Sequence, residues 1–244
     1  MTMSPQTQSL KPLQLSDQTY GALPTPLGIY DLSRTWKEFV HYLYMPIRMA
    51  DGLPFDFRLP KRMGFLSAMI DNIIVDARNV PYYDTLDDKY YIYLTCRRGF
   101  ASPDNPLNRP GWHADGFGTR DLNYIWYDRW PTRVAHQVFE DIDVTHGSML
   151  QFEEQVKEES VITDMECLRL WRYDPSVVHA TPLVPAPGGM RSFIKISVSP
   201  HRYNLEGNAH NFQFDYNWKM YPRDATRNDT SYPELDFVEE NHDH

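Results

Sequence analysis

The sequence predicts a mainly β fold, in which strands form a barrel with a polar interior and two helices pack on one side. Three observations support this fold class. Residues 89–97 alternate strictly between apolar and polar side chains, which is typical of a half-buried strand. Further β-prone segments follow at short spacing, with no long helix between them. Two segments nearer the N-terminus repeat apolar residues at helical spacing.

The alternating segment predicts which side chains face the barrel interior. One face carries Ile92, Leu94 and Cys96, and the other carries Tyr91, Tyr93, Thr95 and Arg97. We assign the polar set to the interior; the alternative is an edge strand whose polar face meets solvent. The later predicted strands are Leu122–Tyr127, Arg133–Phe139, Ser148–Phe152 and Glu166–Trp171.

Two helices are predicted before the barrel. The first begins at Ser33, a good N-cap residue, and Pro46 ends or kinks it. Its apolar stripe would be Trp36, Phe39, Val40 and Leu43. The second runs from Pro60 through Arg78 with one strongly apolar face. Both would cover the outer face of the sheet.

Length and composition indicate one folded domain. The chain has 244 residues, of which 41% are hydrophobic, which is enough for a sizeable core. We divide it into a flexible N-terminal arm (1–27), a single domain (28–217) whose barrel spans about 89–203, and a polar C-terminal tail (218–244).

Charge and cysteine content set expectations for the partners and the compartment of the protein. The net charge of −9 provides no basic footprint, so no nucleic-acid partner is expected. No apolar stretch is long enough to cross a bilayer, and no signal peptide is evident. The two cysteines, Cys96 and Cys167, imply no disulfide framework. A reducing, cytoplasmic location follows as the expectation.

Three residues have the chemistry and spacing of a metal site. His113 and Asp115 are separated by one residue, so in a strand both point to the same side. His179 lies in a short apolar run bounded by prolines. Two imidazoles and one carboxylate form the facial triad that holds ferrous iron and leaves coordination positions open. A different triad from His136, His146, Asp141 and Asp143 is an open alternative.

An arginine follows this set on a separate strand. Residues 186–189 supply a turn, and Arg191 opens the next strand candidate. If Arg191 points inward, Phe193, Lys195 and Ser197 do so as well, whereas the aliphatic Ile194, Ile196 and Val198 pack beneath helices. A guanidinium here suits an anionic co-substrate, because it stays charged and grips a carboxylate with paired hydrogen bonds.

With these residues the chain resembles the Fe(II)/2-oxoglutarate-dependent oxygenases, a family whose fold is a double-stranded β-helix (a jelly-roll, cupin-like barrel). The family pattern of His-x-Asp, a distal histidine and a later arginine corresponds to His113, Asp115, His179 and Arg191. The resemblance implies Fe(II) as metal, 2-oxoglutarate as co-substrate and O2 as oxidant. Many members carry a serine two residues after the arginine, where this chain has Phe193.

The substrate is less well defined by the sequence. The expectation is hydroxylation, or related C–H oxidation, of a biosynthetic small molecule, with a carboxylate-bearing one favoured. Candidate substrate residues are Arg97, Trp112 and Arg120, and Tyr93 is a candidate second donor to the co-substrate. The alternatives are a protein or nucleic-acid hydroxylase of the same family, and a cupin-like metal protein or enzyme that does not use 2-oxoglutarate.

Overall fold

The computed structural model describes residues 19–53, 55–83, 89–116, 119–142 and 148–223. Its strands are β1 (Thr25–Ile29), β2 (Val40–Arg48), β3 (Tyr91–Ala101), β4 (His113–Ala114), β5 (Leu122–Tyr127), β6 (Arg133–Ala135), β7 (Ile162–Asp164), β8 (Arg169–Tyr173), β9 (Val178–Ala180) and β10 (Gly189–Ser199). Its α-helices are α1 (Ser67–Arg78) and α2 (Ser148–Gln155), and a 3-10 helix, Lys61–Leu66, precedes α1.

The strands form two antiparallel sheets that face each other. The major sheet has the order β1-β8-β5-β10-β3-β2, and the minor sheet has the order β4-β9-β6-β7. Apolar side chains fill the space between them, including Ile125 and Phe193 from the major sheet and Val134 from the minor sheet. This arrangement confirms the mainly β, jelly-roll fold class, but no strand pairing among the described residues joins the two sheets into a closed barrel.

The outer face of the major sheet is buried by α1 and the 3-10 helix. Ile194, Ile196 and Val198 on β10 pack there with Ile70 and Ile74 of α1, as the alternation in the sequence predicts. Ile92, Leu94 and Cys96 of β3 join the same core. The helix predicted from Pro60 through Arg78 is therefore confirmed, with its first part wound as a 3-10 helix.

The helix predicted from Ser33 is wrong. Residues 40–48 form β2, which pairs with β3 at the edge of the major sheet. Trp36 and Val40 are buried in the outer core, as expected, but a turn and a strand bring them there. Pro46 fits because an edge strand tolerates a residue without an N–H, and because the pairing is irregular around it.

The strand predicted at Ser148–Phe152 is also wrong, since these residues begin α2. In a strand Leu150 and Phe152 would share a face, but Leu150 is 70% exposed and Phe152 is fully buried. Phe152 packs with Trp112, Phe139 and Val178, so α2 does not cover the major sheet. Only α1 and the 3-10 helix do so in the described part of the chain. Leu122–Tyr127 is confirmed as β5, and the remaining strands are shorter or shifted.

Parts of the predicted terminal segments belong to the folded body. Thr25 pairs with Arg172 in β1, and Tyr20 forms a bridge with Phe139. Tyr221, at the other end, forms a bridge with Leu205. The rest of the predicted arm (1–18) and tail (224–244) lies outside the described residues. Within those residues, no helix has the length and apolar character needed to cross a membrane.

Candidate metal and co-substrate site

Strand pairing in the minor sheet brings the two predicted histidine ligands together. His113 on β4 lies directly opposite His179 on β9, and their ring centroids are 4.5 Å apart. Asp115 follows immediately after β4. One donor atom from each of His113, Asp115 and His179 lies within 4.8 Å of the others. This is the only such group among the described residues; His146 and Asp143 of the alternative triad fall outside them.

Each imidazole is oriented by a backbone carbonyl two residues earlier in the chain. Nδ1 of His113 lies 2.9 Å from the carbonyl oxygen of Gly111, and Nδ1 of His179 lies 3.1 Å from that of Val177. Because a carbonyl oxygen only accepts, both Nδ1 atoms carry the hydrogen. Nε2 of each ring therefore carries the lone pair that can bind a metal. In metal sites, histidine ligands are commonly fixed in this way by a hydrogen bond from the other ring nitrogen.

The protonation states suit a metal site as well. Burial, together with the neighbouring His179, lowers the pKa of His113 from 6.5 to about 4, so this ring is neutral at pH 7. Burial raises the pKa of the Asp115 carboxyl, but the charge of Lys195 is the largest effect opposing it, and that pKa lies well below its ordinary value of 3.8. Metal binding needs neutral imidazoles and an ionised carboxylate, and His113 and Asp115 fit that requirement.

A lysine contacts the carboxylate of this group. Nζ of Lys195 donates to Oδ2 of Asp115 and to the hydroxyl of Tyr44, each at 3.0 Å. Burial lowers the pKa of Lys195, but the charge of Asp115 and the contact with Tyr44 outweigh it, so the pKa is raised above its ordinary value and the amine stays charged. The candidate site thus contains its own cation.

Tyr44 reaches this position through an irregularity in β2. The pairing between β2 and β3 shifts register between Tyr42 and Met45, and Tyr44 has a φ of +45°. Its backbone N–H donates to Oγ1 of Thr95. Left-handed backbone is rare for residues other than glycine and concentrates at functional sites. Here it turns the Tyr44 ring toward Lys195.

The group opens into a cavity of about 410 Å³ between the sheets. Its polar lining includes His41, Tyr44, Thr95, Arg97, Asn108, Arg109, Thr132 and Lys195, in addition to His113, Asp115 and His179. The interior assignment for Thr95 and Arg97 agrees with this lining. The volume lies within the roughly 300–1,000 Å³ range of small-molecule sites.

Arg97 is the candidate substrate residue that lines the cavity. Trp112 packs in the core beside α2, with the Arg133 guanidinium over its ring. Arg120 stacks on the ring of Tyr82. Tyr93 is fully buried, and its hydroxyl donates to the carbonyl of His201. The structure therefore does not bring Trp112, Arg120 or Tyr93 to the cavity wall.

Arg191 is fully buried on the inner face of β10, one layer behind the cavity lining. Its Nη1 donates to Oδ1 of the lining residue Asn108, and its Nε donates to the carbonyls of Arg129 and Trp130. Burial lowers the pKa of Arg191 to about 10, so the side chain remains a cation at pH 7. Its buried Nη2 has no hydrogen-bond partner among the described residues.

Sequence reasoning missed Tyr44 and Asn108 as residues of this site and gave Lys195 no role. The inward position of Lys195 followed from the alternation in β10. Nothing in the sequence pointed to Tyr44, because its segment repeats apolar residues at helical spacing. Asn108 lies in an irregular loop, where no periodicity indicates direction.

No protein-family model and no curated protein matches the chain by sequence. Among solved structures, it is similar to an oxidoreductase of the 2OG-Fe(II) oxygenase family from Burkholderia pseudomallei, with 14% identity, a TM-score of 0.31, and coverage of 55% of this chain and 58% of that one. It is also similar to EvdO2 from Micromonospora carbonacea var. aurantiaca, with 11% identity, a TM-score of 0.30, and coverage of 53% and 64%. EvdO2 complexed with 2-oxoglutarate gives 10% identity, a TM-score of 0.29 and the same coverage. This chain covers less than two thirds of each of these proteins.

Proposed function

We propose that this protein is a non-haem iron oxygenase that couples oxidative decarboxylation of 2-oxoglutarate to C–H oxidation of a small molecule. The observation that carries the proposal is the convergence of His113, Asp115 and His179 on one point, with the lone pair of each imidazole on Nε2 and the carboxylate ionised. Two histidines and one carboxylate select ferrous iron and leave open positions for other ligands. Bound there, iron would supply the activation of dioxygen.

The charge of the cavity supports acidic ligands. Arg97, Arg109 and Lys195 line it, whereas Asp115 is its one acidic residue among those described. Neither arginine forms a salt bridge within the described residues, although the whole chain carries a net charge of −9. Unpaired cations in a partly enclosed site attract and orient anions. This favours 2-oxoglutarate as co-substrate and a carboxylate-bearing small molecule as substrate.

Two buried cations are candidates to bind the distal carboxylate of 2-oxoglutarate. Arg191 has an unpartnered Nη2, which suits paired hydrogen bonds, but Asn108 and Phe193 lie between it and the cavity. Lys195 lines the cavity but already contacts Asp115. We propose Arg191, because its unused donor is costly to bury without a partner, and because its Nη1 already contacts Asn108, a residue of the cavity lining.

Metal binding and turnover test this function separately. The protein, its His113→Ala and His179→Ala variants and a His210→Ala control would be titrated anaerobically with Fe(II), with and without 2-oxoglutarate. The parent and control should develop the visible absorption of a keto-acid–iron chelate and release succinate on admission of oxygen, and the triad variants should do neither. Arg191→Met should bind iron normally but require more 2-oxoglutarate. Succinate release by the triad variants equal to that of the parent would overturn the proposal.

A further inference from the structure

A continuous row of aromatic side chains leads from the cavity to the protein surface. The Tyr44 ring, which lines the cavity, meets the Tyr203 ring edge-on at 5.0 Å. Tyr203 stacks on Tyr93 at 4.2 Å with their planes 8° apart. Trp218 lies 6.5 Å from Tyr93 and 4.6 Å from Tyr216, and both outer rings are half-buried. We call Tyr44, Tyr203, Tyr93, Trp218 and Tyr216 the aromatic row.

The inner end of the row is connected to the proposed iron ligands. The Tyr44 hydroxyl accepts a hydrogen bond from Lys195, whose ammonium also donates to Asp115. Tyr44 has its positive φ at the point where the pairing of β2 with β3 shifts register. The row therefore begins next to the place where an oxidant would form.

Within the row, Tyr203 has a base beside its phenol. Its hydroxyl donates to Oδ2 of the fully buried Asp121 at 2.6 Å, and Ser199 donates to Oδ1 of the same carboxylate at 2.6 Å. Removal of one electron from a phenol makes its proton strongly acidic, so a carboxylate at this distance favours oxidation. Tyr93 donates instead to the carbonyl of His201, which is a poor base. Tyr203 is thus the residue in the row best placed to hold a radical.

We propose that Tyr203 is a redox-active tyrosine and that the aromatic row carries one-electron oxidising equivalents from the cavity to solvent when no substrate is bound. Tyr203 would give one electron, through Tyr44, to an oxidant at the cavity, and its phenolic proton would move to Asp121. Tyr203 would regain an electron from Trp218 through Tyr93 and its proton from Asp121, and the oxidised Trp218 would release its indole proton to solvent. A small thiol or ascorbate in solvent would then return one electron and one proton to Trp218.

The inference rests on the proposed function only for the source of the oxidant, so its first test is free of metal. A ruthenium polypyridyl photosensitiser would be attached to the cavity mouth in an Arg109→Cys, Cys167→Ser protein, where buried Cys96 stays unlabelled. Flash oxidation of the sensitiser should produce a tyrosyl radical, seen by electron paramagnetic resonance. Tyr203→Phe should abolish the signal, and Trp218→Phe should lengthen its lifetime.

Tyr42→Phe is the matched control, because Tyr42 lies on the same strand as Tyr44 but packs on the outer face of the sheet. Radical yields that are equal in the parent and Tyr203→Phe, or equally reduced in Tyr42→Phe, would overturn the inference. Circular dichroism would confirm that each variant is folded. If Tyr203→Phe does not fold, an unchanged radical lifetime in Trp218→Phe would overturn it instead.

The second test uses the iron-loaded protein with 2-oxoglutarate and oxygen but no substrate, followed by peptide mapping of oxidised residues. Oxidation should appear at Trp218 and Tyr216 in the parent and should move to Tyr44 and Phe193 in Tyr203→Phe. Oxidation confined to the cavity in both proteins would overturn the inference. A radical in the metal-free test with no succinate release in the iron test would support the aromatic row and contradict the proposed oxygenase function.

Discussion

Nζ of Lys195 lies 3.0 Å from Oδ2 of Asp115, and Nε2 of His179 lies 3.6 Å from the same oxygen. The carboxylate is therefore shared between a fixed cation and the position of the proposed metal. In the metal-free protein Lys195 compensates the charge of Asp115. In the metal-bound protein the same ammonium repels the divalent ion, so Lys195 acts in opposite directions in the two states.

Lys195→Met should destabilise the metal-free protein and strengthen metal binding. Loss of the cation leaves a largely buried carboxylate uncompensated, which costs roughly 1–3 kcal/mol of unfolding free energy. The bound metal would then both compensate the carboxylate and escape the repulsion. Differential scanning fluorimetry with and without Mn(II) measures both effects: the Tm of the apo variant should fall, and the rise in Tm on metal addition should exceed that of the parent.

Lys195→Arg, which keeps the charge, is the control and should resemble the parent in the size of its metal-induced shift. An equal rise in Tm for the parent and Lys195→Met would contradict this account of the shared carboxylate.

Gly188 fixes the turn from which β10 starts toward Arg191 and Lys195. It has a φ of +85°, and a Cβ added there would lie 2.1 Å from the carbonyl oxygen of Ala101. Gly188→Ala should therefore lower the unfolding free energy by about 1–3 kcal/mol or more. Gly64→Ala is the matched control, because no atom lies within 4 Å of its added Cβ, and it should be neutral or stabilising. Urea denaturation of both variants checks the difference.

The periodicity of β3 and β10 predicted much of the fold, and the reason is physical. Both strands have a buried apolar face against α1 and a mixed face toward the cavity, so a period of two appears in the sequence. The pair His113 and Asp115 was predictable for the same reason. Local pattern fixes the direction of side chains wherever the two faces of a strand meet different surroundings.

The segment around Tyr44 could not be predicted in this way. β2 is an irregular edge strand, and its register shifts destroy the alternation that would identify it. Its apolar residues therefore matched a helical period by coincidence. The contact between Lys195 and Asp115 joins residues 80 positions apart in the sequence. The position of Arg191 behind Asn108 depends on the conformation of a loop. Tertiary packing, and not local sequence pattern, therefore determines both.

Two adjacent residues of α1 test the outer core. Ile74 is 1% exposed and packs on the major sheet, whereas Val75 is 53% exposed. Ile74→Ala should cost about 2–5 kcal/mol of unfolding free energy, because it removes buried methyl groups and leaves a cavity. Val75→Ala should change it by no more than about 0.5 kcal/mol. Equal effects in urea denaturation would show that α1 does not cover the sheet through this face.

Because of Cys96 on β3, the stability of the outer core should vary with pH in the alkaline range. Burial raises the pKa of the Cys96 thiol from 9.0 to about 12, whereas the thiol of the unfolded chain ionises at its ordinary value. Because the folded protein holds the thiol proton more tightly than the unfolded chain does, the neutral thiol stabilises the folded state below about pH 9. This stabilisation is lost as the pH rises from about 9 toward 12. In a Cys167→Ser background, the unfolding free energy should therefore decline above pH 9, and Cys96→Ala should decline less steeply. Cys96 is buried between β2, β10 and α1, so a disulfide reagent should label its thiol only when the core opens. Rapid labelling of the native protein at pH 8 would contradict this burial.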